Sequence, residues 1–207
     1  MENIITLDHG SGGKKTARLI QEMILPYLKN DALSRLGDGA VIPGGEKLVF
    51  STDSFVVTPY FFPGGDIGKL AVCGTVNDVS MSGGEPKYLS LSLVIEEGLP
   101  LEHLERIIRS VAETADRAGV SVVTGDTKVV EKGKGDGIYI NTSGIGILRT
   151  PGLGTQNIRP GDRVLLSGTA GDHGAAVMLA RHAQLAEGEI LSDCALLNGP
   201  ALALGRL

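Results

Sequence analysis

Apolar positions along the chain follow two rhythms, and the rhythms alternate. Leu101, Leu104, Ile108, Val111, Ala112 and Ala115 recur at helical spacing, which predicts an amphipathic helix over about 100–118. Pro100 suits the first helical position, Glu102 and Glu105 suit the positive end of the dipole, and Gly119 suits the stop. A second helix, about 66–81, is apolar nearly all round, with Ile67, Leu70, Ala71, Val72, Val76 and Val79. Such a helix is buried on all sides. Ser82-Gly83-Gly84 and then Pro86 end it. A shorter helix is expected around Ala17, Ile20, Met23 and Ile24, with Pro26 near its end. Strands are expected over 47–57, 88–95, 120–124 and 138–148. Residues 3–13 read as a polar, Gly-rich arm or loop. Residues 37–46 hold five turn-forming Gly or Pro residues, and 131–137 form a charged, Gly-rich link. This mixture is an α+β pattern.

The turn clusters Thr150-Pro151-Gly152 and Arg159-Pro160-Gly161-Asp162 mark a boundary. We divide the chain into a domain at 1–155 and an incomplete second α+β unit at 156–207. That unit is expected to open with a strand over 163–167 and a helix over 174–184.

Composition narrows the function. The chain has 207 residues, 30 of them Gly, with 42% apolar residues. The apolar share is ordinary, so the glycines point to tight turns and close backbone approaches rather than disorder. The net charge is −5 without a long basic run, which argues against nucleic acid. A negative protein can still bind ATP if a divalent cation screens the phosphates. Cys73 and Cys194 are the two cysteines, too few for a disulfide framework or a zinc site. Cys73 is expected to pack in a buried helix. The start lacks a signal-peptide pattern and no apolar run reaches about 18 residues. A soluble cytoplasmic protein with no membrane contact is expected.

Four features carry chemistry. The first is His9-Gly10-Ser11-Gly12-Gly13-Lys14-Lys15-Thr16, where glycines allow backbone N–H groups to crowd an anion and two lysines add charge. It is not a P-loop, because Asp8 and Lys15 stand where that pattern needs Gly and Ser/Thr; its bland alternative is a flexible arm. The second is a set of isolated aspartates. Asp38 lies between two glycines, Asp53 interrupts an apolar strand, Asp78 follows Asn77 on the buried helix, and Asp126 follows Gly125 at a strand end. Buried carboxylates are costly unless paired or metal-bound, and oxygen ligands suit Mg²⁺. Each has a structural alternative: a turn residue for Asp38, an Asx hydrogen bond for Asp53, a Lys69 partner for Asp78, a cap for Asp126. The third is Lys69 and Lys128, either of which could neutralise phosphate. The fourth is Ser167-Gly168-Thr169-Ala170-Gly171-Asp172-His173-Gly174, a strand-to-helix turn that resembles an anion nest. His103 and His182 are expected to face solvent.

In this order, the motifs resemble the family that includes aminoimidazole ribonucleotide synthetase, selenophosphate synthetase and thiamine-monophosphate kinase, and within it the HypE hydrogenase maturation factors. The carrying segments include Gly37-Asp38-Gly39-Ala40, Ser51-Thr52-Asp53-Ser54, Gly74-Thr75-Val76-Asn77-Asp78-Val79 and Gly125-Asp126-Thr127-Lys128-Val129-Val130. The resemblance implies a PurM-like N-terminal domain: a mixed or antiparallel sheet with helices on one face, completed into a barrel by a second subunit. It implies ATP and Mg²⁺ in a cleft of a homodimer. Asp38, Asp53, Asp78 and Asp126 become metal candidates. Gly10, Ser11, Gly12, Gly13, Lys14, Lys15, Lys69, Asn77, Thr127 and Lys128 become ATP candidates.

The activity implied is that of a carbamoyl dehydratase of NiFe-hydrogenase maturation. ATP activates the oxygen of a thiocarboxamide on the protein's own C-terminal Cys, delivered by HypF. Loss of phosphate leaves a thiocyanate, from which cyanide passes to iron through a HypC–HypD complex. The chain departs from that pattern by ending at Gly205-Arg206-Leu207, without the terminal Pro-Arg-Ile/Val-Cys or the Asp-Pro-Thr-Arg-Gly-Gly motif. It is therefore read as a partial product whose catalytic residues are not assigned. The alternatives are another small-molecule synthetase or kinase of the superfamily, or a non-catalytic dimerisation or scaffold module.

Overall fold

The computed structural model describes residues 4–35, 40, 42–182 and 190–205. Its centre is a mixed four-stranded sheet in the order β1-β6-β4-β5, formed by β1 (Leu48–Phe55), β4 (Gly84–Glu96), β5 (Ser121–Val130) and β6 (Ile138–Leu148). The β1–β6 and β6–β4 pairs are antiparallel, and β4–β5 is parallel. A small hairpin, β2 (Phe61–Phe62) with β3 (Gly65–Asp66), precedes the central helix. The fold is α+β, as the alternating rhythms predict.

Helices cover one face. Helix α3 (Ile67–Met81) starts where the Asp66 carboxylate accepts the N–H groups of Gly68 and Lys69 at 2.8 and 3.0 Å, which satisfies two orphan donors of the first turn. It stops at Ser82, with Gly83 next at φ 81°. Its all-round apolar surface is explained by its neighbours: β1, β4, β6 and α4 (Leu101–Ala118) all touch it. Gly144 and Gly146 of β6 lie beneath it. A Cβ on Gly146 would meet Val79 at 2.5 Å, so these glycines set how closely α3 approaches the sheet. Helix α4 ends at Gly119 in the left-handed conformation. Its Leu104, Ile107, Ile108 and Val111 are fully buried in the core that Leu89, Leu91, Leu93 and Ile95 of β4 also enter, and α4 packs chiefly on α3.

The N-terminal helix is longer and less regular than the spacing predicts. An α segment, α1 (Lys14–Leu19), passes into a π turn (Ile20–Ile24) and then α2 (Leu25–Leu28). Pro26 has no N–H to donate, and its ring crowds the carbonyl four residues earlier. The widened turn accommodates it. Leu19, Ile24 and Leu28 enter the core.

The sheet's other face is open. Leu48 and Phe50 of β1 are 53% and 66% exposed. Strand β5 runs six residues beyond the expected end at Thr124, which puts Asp126 inside a strand rather than at its terminus.

Residues 156–207 differ from expectation. Residues 163–167 form no strand: Val164, Leu165 and Leu166 are all exposed, Val164 almost completely. A strand is stable only with a paired neighbour, and no described strand lies beside this segment. Helix α5 is Asp172–Arg181 rather than 174–184; residues 183–184 lie outside those described. Residues 190–197 then run back over α3, and α6 (Asn198–Leu204) packs against it. Among the described residues, no helix is long and apolar enough to cross a membrane.

Candidate functional site

The sequence-predicted aspartates fall at opposite edges of the sheet. The register pairs Asp53 with Thr142, and Thr142 is buried under α3, bonded to Ala71 and Thr75. Asp53 therefore points to the helical face. Ser51 lies two residues earlier on the same face, and its hydroxyl donates to Asp78 of α3 at 3.1 Å. Ser51, Asp53 and Asp78 thus form one oxygen-rich patch where β1 meets α3. One Asp53 oxygen accepts the N–H of Ser54 at 2.8 Å. Asp78 does not pair with Lys69, whose ammonium instead donates to the Gly64 carbonyl at 2.7 Å.

Asp126 is on β5, three strands away, roughly 14 Å at ordinary strand spacing. It faces the other way for an identifiable reason. Val122 pairs with Leu89 and Thr124 with Ser90, leaving Val123 as an extra residue in a bulge. A bulge shifts the phase of the residues after it. Without it, Asp126 would oppose Leu93 on the core face. With it, Asp126 opposes Ser92 on the open face. Ser92 in turn opposes Asn141, and Asn141 opposes Ser54. A polar row therefore crosses the open face from β5 to β1. Asn141 fixes its far end by donating to the Asp53 carbonyl and the Ser54 hydroxyl at 2.9 and 3.0 Å.

The N-terminal loop lies beside Asp126, not beside Asp53 and Asp78. Residues Leu7–Gly10 form a 3-10 turn packed on β5. Gly10 is required there, because a Cβ would lie 2.6 Å from the Val129 nitrogen. The loop is folded rather than a free arm. Ile5 is fully buried and exchanges backbone bonds with Gly98 and Leu99. Ser11 donates its hydroxyl to the Asp8 carbonyl, Thr16 accepts the Gly12 N–H, and Lys15 pairs with Asp8 at 3.2 Å. Between the helical segment that follows this loop and strands β4 and β5 lies a cavity of about 150 Å³. Thr16, Asp126 and Thr127 stand at its polar side, and Ile20, Leu28 and Leu93 at its apolar side. Lys14 and Lys128 are exposed near it in sequence and strand order. The Asp126 side chain accepts the Thr127 N–H at 2.8 Å.

Asn77 has another task. Its side-chain amide donates to the Ala195 carbonyl at 2.9 Å, and its oxygen accepts the Leu197 N–H at 2.8 Å. The expected anion nest at 167–174 is likewise engaged by the chain itself. The Asp193 carboxylate accepts the N–H groups of Gly171, Asp172 and His173. Burial pushes its pKa up, but those bonds prevail and hold it below the ordinary carboxylate value. Asp193 and the 190–197 strap carried no motif in the sequence, and only the fold shows their role. His103 is half-buried rather than solvent-facing, bonded to the Tyr60 hydroxyl at 2.7 Å. Asp38 lies outside the described residues.

Among the described residues, no three His, Cys, Asp or Glu side chains come together as a metal cluster. The Ser51, Asp53 and Asp78 patch fits Mg²⁺ in donor type, since all its groups are oxygens and Asp53 and Asp78 are open to solvent. It supplies only part of a coordination shell. Mg²⁺ commonly completes its shell with waters and phosphate oxygens.

Residues 36–148 match the family model for the AIR synthase related protein, N-terminal domain. The chain is 47% identical over 203 residues to carbamoyl dehydratase HypE of Escherichia coli, covering 95% of this chain and 60% of that protein. It superposes on a solved structure of HypE in complex with ATP at a TM-score of 0.92 and 48% identity, over 96% of this chain and 59% of that one. It superposes on a HypE–HypF complex at a TM-score of 0.74 and 51% identity, over 90% of this chain and 61% of that one. The chain thus spans about 60% of the length of the curated relative it matches. With its mixed sheet, helical cover and carboxylates spaced along β1, α3 and β5, the chain belongs to the AIR synthase related family, whose N-terminal domain is matched by its residues 36–148.

Proposed function

We propose that this chain is the nucleotide-binding part of an ATP-dependent carbamoyl dehydratase of hydrogenase maturation, working in the cytoplasm as a homodimer. The identity to the carbamoyl dehydratase HypE along 95% of the chain carries the reading. The geometry supports a particular form of it. One sheet edge presents Ser51, Asp53 and Asp78. The opposite edge presents Asp126 and Thr127, with the Gly10–Lys15 loop held beside it where Gly10 packs on Val129. Between them the open face exposes Leu48 and Phe50. A second copy laid on that face would bring one edge of each protomer toward the other edge of its partner, and two such sites follow from two-fold symmetry.

In each shared site, Asp53 and Asp78 of one copy would hold Mg²⁺, together with Asp38 and the partner's Asp126. The Gly10, Ser11, Gly12 and Gly13 backbone, Thr127, Lys14, Lys15 and Lys128 would carry the nucleotide. When bound, Mg²⁺ neutralises phosphate charge. The lysines add point charges that stabilise the transferring phosphoryl group. Asn77 and Lys69 hold neighbouring chain instead, so their part is to shape the wall behind the site. The activated oxygen belongs to a thiocarboxamide on a C-terminal cysteine of the full-length protein. HypF is the carbamoyl donor, and a HypC–HypD complex accepts the cyanide.

Mixing variants tests the shared site. Asp78→Asn and Asp126→Asn should each lose Mg-ATP binding in calorimetry. After subunit exchange, half the dimers are mixed, and each has one site with both aspartates intact. Binding should then return to about a quarter of the wild-type sites. No recovery in a mixture proven to contain mixed dimers would place both aspartates in one chain's own site. The chemistry is tested on full-length protein with HypF, carbamoyl phosphate and ATP. Mass spectrometry should show the terminal Cys carbamoylated and then lighter by one water; an adduct that never dehydrates would refute the dehydratase reading.

A further inference from the structure

Cys73 and Cys194 are both free thiols, far apart in sequence. The fold places them side by side. Cys73 sits on α3 one turn before Asn77, on the same side of the helix. Asn77 fixes Ala195 and Leu197 through its two hydrogen bonds. The strap therefore runs along α3, with Cys194 reaching Cys73 as Ala195 and Leu197 reach Asn77. Its path is held from the other side too. The Ser192 N–H donates to the Pro63 carbonyl at 2.9 Å, the Cys194 N–H donates to the Ser192 hydroxyl at 3.2 Å, and Asp193 caps α5.

We infer that Cys73 and Cys194 form a reversible disulfide under a hydroperoxide, with Cys194 as the attacking thiol and Cys73 as the resolving one, and that this bond locks the 190–197 strap onto α3. The two thiols differ as the roles require. Cys73 is 1% exposed, whereas Cys194 is partly open to solvent. The hydrogen bond between them favours the Cys194 thiolate and the Cys73 thiol, moving the first pKa down and the second up. Burial raises both. Lys69 lowers both, Arg117 lowers Cys73, and Asp193 and Asp66 raise Cys194. Oxidation selects the accessible thiolate.

The chemistry balances with one hydroperoxide, which yields one alcohol and one water, or two waters when it is hydrogen peroxide. The Cys194 thiolate attacks the terminal peroxide oxygen, the O–O bond breaks, and the released alkoxide, or hydroxide from hydrogen peroxide, takes a proton to leave as an alcohol or water. Cys194 is now a sulfenic acid. The Cys73 sulfur then attacks the Cys194 sulfur. The S–S bond forms, the S–O bond breaks, and the departing hydroxyl takes the Cys73 proton and leaves as water. Two thiols lose two electrons, and the peroxide gains them. A dithiol reductant reverses the bond by exchange. The strap joins α5, through Asp193, to the helix that carries Asn77 and Asp78. The disulfide therefore fixes the second unit against the first, beside the proposed site.

The reduced 207-residue chain is treated with hydrogen peroxide, quenched, denatured and alkylated. The expected product is two hydrogens lighter, resists alkylation at both cysteines, yields a peptide pair joined through Cys73 and Cys194, and returns to the thiol form with dithiothreitol. Exchange of backbone amides over 190–197 should slow by about tenfold or more in the oxidised chain. Cys73→Ser should leave a Cys194 sulfenic acid that dimedone captures, and Cys194→Ser should leave Cys73 unreacted. A disulfide between two chains, a stable Cys194 sulfenic acid in the wild type, or equal peroxide reactivity of Cys73 in Cys194→Ser would each overturn the inference. Circular dichroism of both variants confirms that the comparison is made on folded protein.

Discussion

Asn77→Ala separates two tasks that one residue could perform. The motif Gly-Thr-Val-Asn-Asp points to a nucleotide contact, whereas the fold gives both ends of the Asn77 amide to the 190–197 strap at 2.9 and 2.8 Å. A neutral hydrogen bond contributes about 0.5–1.5 kcal/mol net. The side chain is half-buried, so water can replace part of each bond, and the pair should sum to about 2 kcal/mol. That corresponds to roughly a 30-fold rise in local opening of the strap, at about 1.4 kcal/mol per factor of ten. The core beneath is not touched, so the global urea midpoint should barely move. Hydrogen exchange read by mass spectrometry should show faster exchange over 190–205, centred on Leu197, with α4 and β4 unchanged. Asn77→Asp retains an acceptor for the Leu197 N–H but loses the donor to Ala195, so it should fall between wild type and Asn77→Ala. Unchanged exchange over 190–205 together with lost Mg-ATP binding would refute the reasoning and return Asn77 to the nucleotide.

Other consequences follow from single contacts. Gly10→Ala puts a methyl group 2.6 Å from the Val129 nitrogen, so the N-terminal loop must lift from β5; calorimetry should show weaker Mg-ATP binding, with faster exchange at Val129. Leu104→Ala empties a fully buried position and should cost about 2–5 kcal/mol, read from urea unfolding with an unchanged slope. Glu85 bonds Lys87 at 2.6 Å and Arg149 at 2.8 Å, and these bonds hold its carboxyl below the ordinary carboxylate value. Because its folded pKa is lowered, the stabilisation is present above the unfolded value of about 4.3 and is lost as pH falls through the folded one. Glu85→Gln should therefore be less stable than wild type at neutral pH, and the gap in urea midpoint should close in acid; a gap constant down to pH values well below ~4 would contradict it.

Local pattern accounts for the elements with strong local causes. Helix α4 is legible because one face is apolar at helical spacing and a glycine ends it. Helix α3 is legible as a buried helix because Ile67, Ala71, Val72, Val76 and Val79 fall on several of its sides. Strand β6 shows a continuous alternation of buried and half-buried residues, and its expected bounds coincide with those observed. The segment at 163–167 fails for the opposite reason. Its apolar run has strand character, but a strand exists only by pairing, and pairing is not a property of the run itself. The Asp193 cap and the contact between Cys73 and Cys194 are invisible for the same reason, since they join residues distant in sequence.

The position of Asp126 shows where such reading stops. Alternation along a regular β5 would send Val122, Thr124 and Asp126 to the same side, placing Asp126 in the core. The extra residue at Val123 breaks that count, and both Val122 and Val123 are buried as a result. A pair of adjacent buried valines is the one local trace of the bulge, yet it reads equally well as a strand buried on both faces. Only the partner strand resolves it, because Leu89 and Ser90 are consecutive on β4 while Val122 and Thr124 are not on β5. From that single insertion follow the exposure of Asp126 on the open face and its place in the polar row with Ser92, Asn141 and Ser54, while the strand order sets its distance from Asp53 and Asp78. One chain then leaves the three aspartates apart, and this separation is what motivates the proposed site shared between two copies.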